Sequence, residues 1–426
     1  MKTFQPKLLV AMKGYTGKQF VNDLIAGLVV AIIALPLSIA LALASGANPQ
    51  EGLYTAIVAG FFIALLGGSR VNISGPTAAF ATIVAGIIAG KHGMTGLIIA
   101  TIMAGFILII MGLCRAGTLI KYIPVTVTTG FTSGIAVTIL IGQIKDFLGL
   151  QFLGGEKPVE AMEKLIEIGK YIGTINWWAL LVGVVGLAVL IVWPFINKRI
   201  PGSLLAVGVG VGLMFLLKAF GVEIPTIQMD GNIGFRFAFP LENFTWGMIP
   251  ELIPSAFTIA LLAGVESLLS CVVSDEMIQD KHNSNTELIA QGVGNIFVGL
   301  VGGIPATGAI ARTAANVKNG GRTPIAGMVH ALVLLVVFLF LMPYAAYIPM
   351  SIIAAILFMV AYNMCEWRHF VKICKTARWN DVLVLVLTFV LTIVFNLVVA
   401  IIVGMVLHLI FLLIRRIREK RAANKA

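Results

Sequence analysis

Two short segments combine proline, threonine and small residues in a pattern that could bind an anion. Residues 74–77 read Ser-Gly-Pro-Thr, and residues 304–308 read Ile-Pro-Ala-Thr-Gly. Each motif opens a short apolar segment, at about 75–90 and 306–317, and proline suits the first turn of a helix. A helix start offers unpaired N–H groups and a positive dipole end, and small neighbours let a ligand approach them. The alternative is a pair of proline-kinked helices that only pack.

Two ionisable residues stand in or beside apolar stretches, where such residues are functional candidates by default. Glu266 lies within the apolar run 261–269, and Arg312 follows the second motif. Apolar surroundings favour a neutral Glu266, so this residue could carry a proton or coordinate a cation beside an anion. Its alternative role is a protonated carboxyl bonded to a neighbouring helix. Arg312, two turns into the second short helix, could add positive charge to the site or face a cytoplasmic vestibule.

The composition identifies the kind of molecule that must position these residues. The chain has 426 residues, of which 59% are hydrophobic and 12% charged. A soluble chain carries roughly 25% charged residues, so too little polar surface remains to cover a water-soluble globule. A soluble enzyme, a nucleic-acid-binding protein and a disordered protein are therefore excluded. We expect an all-α polytopic membrane protein.

Apolar runs of suitable length predict fourteen membrane segments. They are 22–44, 51–67, 75–90, 94–114, 123–142, 176–197, 203–220, 247–272, 284–302, 306–317, 323–342, 348–362, 380–396 and 397–415. The two short segments are the third and the tenth, so each holds the third place in its half. Seven segments per half give the halves opposite topology, which predicts inverted repeats with the substrate site at the two interrupted helices.

The charges orient this topology. The net charge is +11, and most of the Lys and Arg residues fall in the segments that face the cytoplasm when both termini are inside. The positive-inside rule accounts for this excess, so no nucleic-acid partner is needed. We expect a multi-pass protein of the cell (inner) membrane. Its predicted parts are a cytoplasmic segment 1–21, a first repeat 22–220, an external loop 221–246, a second repeat 247–415 and a basic cytoplasmic tail 416–426.

No pattern predicts a metal ion or a cofactor. The four cysteines lack metal-ligand spacing, and no phosphate-binding loop or nucleophile–base pair is apparent. His330 and His408 stand alone in apolar helices, and His92, His282 and His369 fall in loops without partners at ligand spacing. An intramembrane enzyme is therefore disfavoured.

Further motifs occur in a fixed order along the chain. In the first half they are Asp23-Leu24-Ile25-Ala26-Gly27, Ala34-Leu35-Pro36-Leu37-Ser38, Gly67-Gly68-Ser69-Arg70 and Ser74-Gly75-Pro76-Thr77. In the second half they are Glu266-Ser267-Leu268-Leu269-Ser270, Asn283-Ser284-Asn285-Thr286-Glu287-Leu288, Gly303-Ile304-Pro305-Ala306-Thr307-Gly308 and Ala311-Arg312-Thr313-Ala314. This combination resembles the sulfate permease (SulP) family of anion transporters over essentially the whole chain.

The resemblance implies a fold of two inverted seven-helix repeats. These are divided into a core domain, about 22–114 and 247–342, and a gate domain, about 123–220 and 348–415. It further implies an elevator motion of core against gate, and a homodimer. Family members usually carry a cytoplasmic STAS domain after the last helix. This chain ends in a basic stretch instead, so we expect a membrane domain without STAS.

The resemblance also implies a site and a class of substrate. The substrate-binding residues it implies are Leu37, Leu41, Thr77, Ala78, Ala306, Thr307, Ala311 and Arg312, with Glu266 for cation coupling. Substrates in the family include sulfate, bicarbonate, chloride, oxalate and dicarboxylates. A related bicarbonate branch has Asp at the place of Glu266 and couples to sodium, and the longer Glu favours a proton. The alternatives are a passive anion channel or exchanger of the same fold, and a nucleobase carrier. The carrier would need a carboxylate on the tenth segment.

Overall fold

The computed structural model describes residues 4–118, 124–153, 158–197, 200–229, 244–395 and 397–423. The first half contains α1 (Lys7–Ala11), α2 (Gly17–Ala44), α3 (Pro49–Leu66), β1 (Ser74–Gly75), α4 (Ala81–Ala89), α5 (Gly93–Leu113), α6 (Val125–Leu148), α7 (Ala161–Tyr171), α8 (Trp177–Ile196) and α9 (Gly202–Ala219). The second half contains α10 (Met248–Ile278), α11 (Ser284–Leu300), β2 (Thr307–Gly308), α12 (Ile310–Lys318), α13 (Pro324–Leu341), α14 (Met350–Cys365), α15 (Trp367–Thr376), α16 (Trp379–Val394) and α17 (Leu397–Ala423).

Each predicted membrane segment coincides with one helical element. Among the described residues, nine helical stretches are long and apolar enough to cross a bilayer, and three apolar stretches are shorter. The stretches around α4, α16 and α17 belong to the shorter group, and α11 and α12 belong to neither group. The chain is thus a mostly helical membrane protein, while the number of true crossings stays a prediction.

Local sequence explains where several helices begin. Asn48 and Glu51 form a capping box at α3, with Pro49 in the first turn. The side chains of Thr16 and Asn283 accept hydrogen bonds from the first turns of α2 and α11. Each cap satisfies an N–H group that a helix start would otherwise leave unpaired.

Glycines let the helices of the two halves pack backbone to backbone. A Cβ added to Gly105 of α5 would lie 2.6 Å from the carbonyl oxygen of Gly292 on α11, and one added to Gly292 would lie 2.5 Å from that of Gly105. No larger residue fits at either position. Small residues at a crossing are typical of helix pairs in membranes, where close van der Waals contact replaces the hydrophobic effect. The α5–α11 contact joins residues of the two predicted repeats.

Two groups of helices pack mainly within themselves. One group contains α2, α3, α5 and α10–α13, and the other contains α6, α8, α9, α14, α16 and α17. Residues 230–243, which make up most of the predicted external loop 221–246, lie outside the described residues, as do residues 1–3 and 424–426. The boundaries of the repeats and of the core and gate domains remain predictions.

The two Pro-Thr motifs are extended and pair with each other. β1 and β2 run antiparallel, with Ser74 opposite Gly308 and Gly75 opposite Thr307. The sequence predicts that both prolines occupy the first turns of the short helices. In the structure both prolines lie before these helices. A 3₁₀ turn at Ala78–Phe80 leads into α4, and α12 begins only at Ile310. This two-residue ladder is the exception to an otherwise helical fold.

Candidate functional site

The β1–β2 ladder brings the starts of the two short helices together. Pro76, Thr77 and Ala78 follow β1, and Ala309 and Ile310 follow β2. Ala78 and Ala309 are buried, whereas Ile310 and Ala311 at the start of α12 are exposed. The two helix starts thus meet at a boundary between buried residues on one side and exposed residues on the other.

The free backbone donors of the second motif lie later in the chain than the sequence predicts. Ala306 donates its N–H to Asn295 Oδ1 (2.8 Å), Gly308 donates to Ser267 Oγ (2.9 Å), and Ala309 donates to the carbonyl oxygen of Ile73 (2.8 Å). The first intrahelical bond of α12 comes from the N–H of Thr313 to the carbonyl oxygen of Ala309. Helix geometry therefore leaves the N–H groups of 310–312 unpaired. Those three groups, and not that of Ala306, are the donors available to an anion.

Ala306 has a packing role in this structure. It has no exposed surface, and its carbonyl oxygen accepts a bond from Asn295 Nδ2 at 3.0 Å. Its methyl group belongs to a small apolar cluster with Ala59, Ile63 and Val298. The prediction that a ligand approaches the main chain at Ala306 does not fit this geometry.

The first motif keeps its donors free. The N–H of Phe80 pairs with the carbonyl oxygen of Thr77 at 3.3 Å, so the N–H groups of Ala78 and Ala79 remain as the unpaired donors of that helix start. Both motifs therefore offer unpaired backbone N–H groups, but these groups lie at different distances in sequence from the threonine of each motif. The first offers donors directly after its threonine, and the second offers donors three residues after Thr307.

Glu266 lies beside the first motif. Thr77 donates its hydroxyl hydrogen to Glu266 Oε2 at 2.9 Å, across 189 residues of sequence. Both side chains are only partly buried. The structure therefore places the predicted cation-coupling carboxyl one residue away from the free N–H of Ala78. A change in the protonation of Glu266 would alter the bond to Thr77 directly.

Thr307 is fixed by the residue that follows Glu266. Its hydroxyl donates to the carbonyl oxygen of Ala263 at 2.9 Å and shares a hydrogen bond of 2.8 Å with Ser267 Oγ. Thr307 and Ser267 are both fully buried. Thr307 thus anchors β2 to α10, and its hydroxyl is already occupied by protein partners.

Arg312 is buried in the first turn of α12, not two turns along it. Its side chain is 1% exposed, so the alternative that it faces a cytoplasmic vestibule is wrong for this structure. Nη2 donates to the carbonyl oxygen of Pro76, while Nε and Nη1 have no hydrogen-bond partner among the described residues. A Cβ at Gly75 would overlap Nη1, so a larger residue there would displace the guanidinium. The guanidinium therefore places a positive charge next to the starts of both short helices.

Leu37 and Leu41 lie on α2, which packs against α4 and α12. Leu37 is partly exposed, as a residue that lines an accessible space would be, whereas Leu41 is 2% exposed and belongs to the main apolar core. The structure thus brings Thr77, Ala78, Glu266, Ala311 and Arg312 to one region. Leu37 lies on a neighbouring helix.

A buried carboxylate that the sequence analysis did not single out supports the first motif. Glu287 Oε2 accepts hydrogen bonds from the N–H groups of Gly68 (2.8 Å) and Ser69 (3.2 Å). Its Oε1 accepts from Asn72 Nδ2 (2.8 Å) and Gln291 Nε2 (3.1 Å). Glu287 is 1% exposed, and all four partners are donors, as a carboxylate requires. Glu287 thus holds residues 68–72, which lead directly into β1.

Two more polar clusters join the two halves away from the helix starts. Asp23 accepts from the Thr323 hydroxyl (2.6 Å) and from the Tyr15 hydroxyl (3.0 Å), and burial together with Asp23 raises the pKa of Tyr15 to about 12. Asp280 pairs with Lys7 and Arg70.

Two histidines have partners that the sequence analysis missed. His282 Nδ1 lies 2.7 Å from Asp275 Oδ2, and its Nε2 lies 2.9 Å from Ser284 Oγ. His92 Nε2 lies 2.7 Å from Glu251 Oε2. These are hydrogen-bond partners, whereas the sequence analysis considered only partners at metal-ligand spacing. No three His, Cys, Asp or Glu residues of the described part of the chain are grouped as metal ligands would be.

The fold and the site together define a polytopic helical protein of the membrane-transporter class, in which two interrupted segments meet. A model of the Sulfate permease family matches residues 20–388. The putative sulfate transporter YvdB of Bacillus subtilis is 44% identical over 359 residues, which cover 84% of this chain and 67% of that protein. The bicarbonate transporter BicA of Picosynechococcus is 35% identical over 357 residues, which cover 81% of this chain and 62% of that protein.

Solved structures agree with this assignment. The transmembrane domain of a cyanobacterium bicarbonate transporter BicA superposes with a TM-score of 0.82 at 30% identity, and covers 91% of this chain and 98% of that one. The structure of SLC26A9 superposes with a TM-score of 0.85 at 20% identity, which shows a shared fold. The chain belongs to the sulfate permease family, so the resemblance inferred from its motifs is confirmed. It spans about two thirds of the length of the two curated relatives.

Proposed function

We propose that this chain is the membrane part of a secondary active transporter of small anions, of the sulfate, bicarbonate or dicarboxylate class. The relatives that are sulfate and bicarbonate transporters support anion transport. The observation that carries the proposal is the meeting of two helix starts. Each has unpaired N–H groups, at Ala78–Ala79 and at 310–312, beside the buried guanidinium of Arg312.

The electrostatics of this arrangement suit a compact anion. Each helix start contributes the equivalent of roughly half a positive charge. The guanidinium of Arg312 adds a full charge with two nitrogens that have no partner among the described protein atoms. The anion enters from the accessible side, near Ala311 and Thr77, and its oxygens accept the free backbone N–H groups. An elevator movement of the core domain against the gate domain, within a homodimer, would then carry the site across the membrane.

Glu266 is the proposed coupling residue, and the proton is the proposed coupling ion. An ionised Glu266 accepts the bond from Thr77 and places a negative charge beside the anion site. Coulomb repulsion in a site of low polarity then opposes anion binding. Protonation removes this repulsion, so anion and proton bind together. A sodium ion held by the Glu266 carboxylate would serve the same end and is the alternative.

The test is uptake of radiolabelled sulfate and bicarbonate into proteoliposomes against an imposed pH gradient, with and without sodium. Glu266→Gln imitates the protonated state, so we expect this variant to bind and exchange anions without accumulating them. Glu276→Gln is the matched control, because Glu276 lies on the same helix and is exposed. Unchanged pH-driven accumulation in Glu266→Gln would exclude the coupling role. Loss of accumulation only when sodium is withdrawn from the wild type would favour sodium.

Two alternatives of other classes are separated by the same preparation. A passive channel would let the anion equilibrate without concentrating it, and an exchanger would take up the labelled anion only when a counter-anion is present on the other side of the membrane. A nucleobase carrier would take up uracil and not anions. It is disfavoured because α12 has no acidic residue, while its first turn holds Arg312.

A further inference from the structure

A buried histidine on α13 has no role in the site as described so far. His330 has no exposed surface, and neither ring nitrogen has a hydrogen-bond partner among the described residues. Nearly all buried polar groups in proteins are hydrogen-bonded, to protein or to ordered water. A neutral imidazole has one donor and one acceptor nitrogen, so two bonds of His330 remain to be explained.

His330 contacts α3 at Gly60, and Arg312 lies against Gly75, which packs close to Ala56 one turn earlier on α3. A Cβ at Gly75 would overlap Arg312 Nη1 and would lie 3.4 Å from Cα of Ala56, which places this guanidinium nitrogen beside Ala56. A Cβ at Gly60 would lie 3.3 Å from His330 Nδ1. Gly60 follows Ala56 by four residues, so the two contact points are about 6 Å apart along the helix.

Two polar groups near each other in a dry region can be joined by one buried water molecule, which forms a hydrogen bond with each of them. The polar atoms needed to hold it are present, because Arg312 Nε and Nη1 lack partners in the described part of the chain just as the imidazole does. A buried water is held by two to four polar partners, and the two side chains together offer four nitrogens without a partner among the described residues.

We propose that His330 is a positioning residue for the anion site, which holds the free edge of the Arg312 guanidinium through an ordered water molecule. Nη2 of Arg312 is fixed by the carbonyl oxygen of Pro76. The water at the opposite edge would fix the second direction, so the guanidinium keeps one orientation behind the two helix starts. Without it the side chain would be free to rotate about its bond to Pro76. Anion affinity would then fall, while the translocation steps would not change.

The affinity test rests on the proposed function, and the structural test does not. His330→Phe keeps a ring of similar size and removes both nitrogens. We expect it to raise the apparent KM for sulfate or bicarbonate about tenfold, as loss of one hydrogen bond to a charged group does, and to leave Vmax within about twofold. His330→Gln can still bond a water and should restore most of the affinity. His408→Phe, in an apolar stretch of α17, is the matched control and should change nothing.

A double substitution tests the link to Arg312. If His330 acts through Arg312, then His330→Phe should weaken binding in the wild type and add nothing in an Arg312→Gln background. Additive effects would overturn the proposal, as would an unchanged KM in His330→Phe. A drop in thermal stability that His330→Gln does not reverse, without a change in KM, would assign His330 a packing role only and would also overturn it.

A high-resolution structure of the wild type decides the matter independently of transport. Density for a water within hydrogen-bond distance of both side chains is the expected result, and its absence from a well-ordered region overturns the proposal. If purified wild type binds none of sulfate, bicarbonate and oxalate, the proposed function fails. The density between Arg312 and His330 still tells whether the bridge exists.

Discussion

The substitution Glu287→Gln tests whether one buried carboxylate holds the first half of the anion site. Glu287 lies on α11, and its partners Gly68, Ser69 and Asn72 lie on the connection from α3 to β1. Gln291, one helical turn later, bonds to both Glu287 Oε1 and Ser74 Oγ. The position of β1 therefore depends on this single side chain, which lies more than 200 residues away in sequence.

The expected loss follows from the four bonds. Glutamine keeps one acceptor oxygen but presents an NH₂ group where the other oxygen was. Two of the four donors then face a donor. A hydrogen bond to a charged group contributes about 1.5–3 kcal/mol, so the sum is about 3–6 kcal/mol before relaxation. Rotation of the Asn72 and Gln291 amides would recover part of this, and we expect a net loss of roughly 3 kcal/mol.

The assay is thermal unfolding of the purified protein in detergent, together with sulfate binding. An unfolding entropy of ~2.1 cal/mol/K per residue makes 3 kcal/mol equivalent to roughly 3 °C in Tm for a chain of this length. Sulfate affinity should fall as well, because β1 leads through Pro76 and Thr77 into the 3₁₀ turn that carries the free donors of Ala78 and Ala79. Glu276→Gln, an exposed residue on α10, is the control and should leave both values unchanged. A Glu287→Gln variant with the Tm and affinity of the wild type would refute the reasoning.

The elements that could be predicted from sequence are those with local or compositional signals. Apolar runs predicted the helices because each crossing must satisfy its own backbone in lipid. The family was recognisable because the motifs occur in order, and Ser74–Thr77 and 304–308 stood out because proline and glycine interrupt apolar segments. Glu266 was recognisable because a carboxyl in an apolar helix is rare.

The interactions that could not be predicted join residues far apart in the chain. The β1–β2 ladder pairs Gly75 with Thr307, and neither two-residue strand has an alternating pattern that would reveal it. Glu287 lies in the polar sequence at the start of α11, where a carboxylate in the first helical turn is the ordinary interpretation. Its three distant donors appear only after folding.

The free donors of the second motif lie later than predicted for the same reason, because residues distant in sequence pair with the N–H groups near Ala306. The motif Ile-Pro-Ala-Thr-Gly looks like a helix start because Pro is common there. Asn295 and Ser267, which occupy the N–H groups of Ala306 and Gly308, lie on two other helices. Sequence alone gives no signal that these donors are already paired. The helix therefore begins later, and its free N–H groups move to 310–312.

Two further substitutions test the site and its support. Ala311→Trp should abolish sulfate uptake and leave folding intact, because Ala311 is exposed where the free donors lie. Ala315→Trp, one turn further along the same helix, should retain uptake, and normal transport by Ala311→Trp would place the site elsewhere. Partial burial raises the pKa of Asp280, but the N–H of Lys281 and the charges of Lys7 and Arg70 outweigh it and hold that pKa below its ordinary value. A depressed carboxyl pKa gives stability that is present above the unfolded value, about 4, and is lost as pH falls through the folded value. Hydrogen exchange of the N-terminal segment should therefore rise in the wild type only below about pH 4, and in Asp280→Asn already at neutral pH. Equal protection of this segment in both proteins at neutral pH would mean that Asp280 does not hold it.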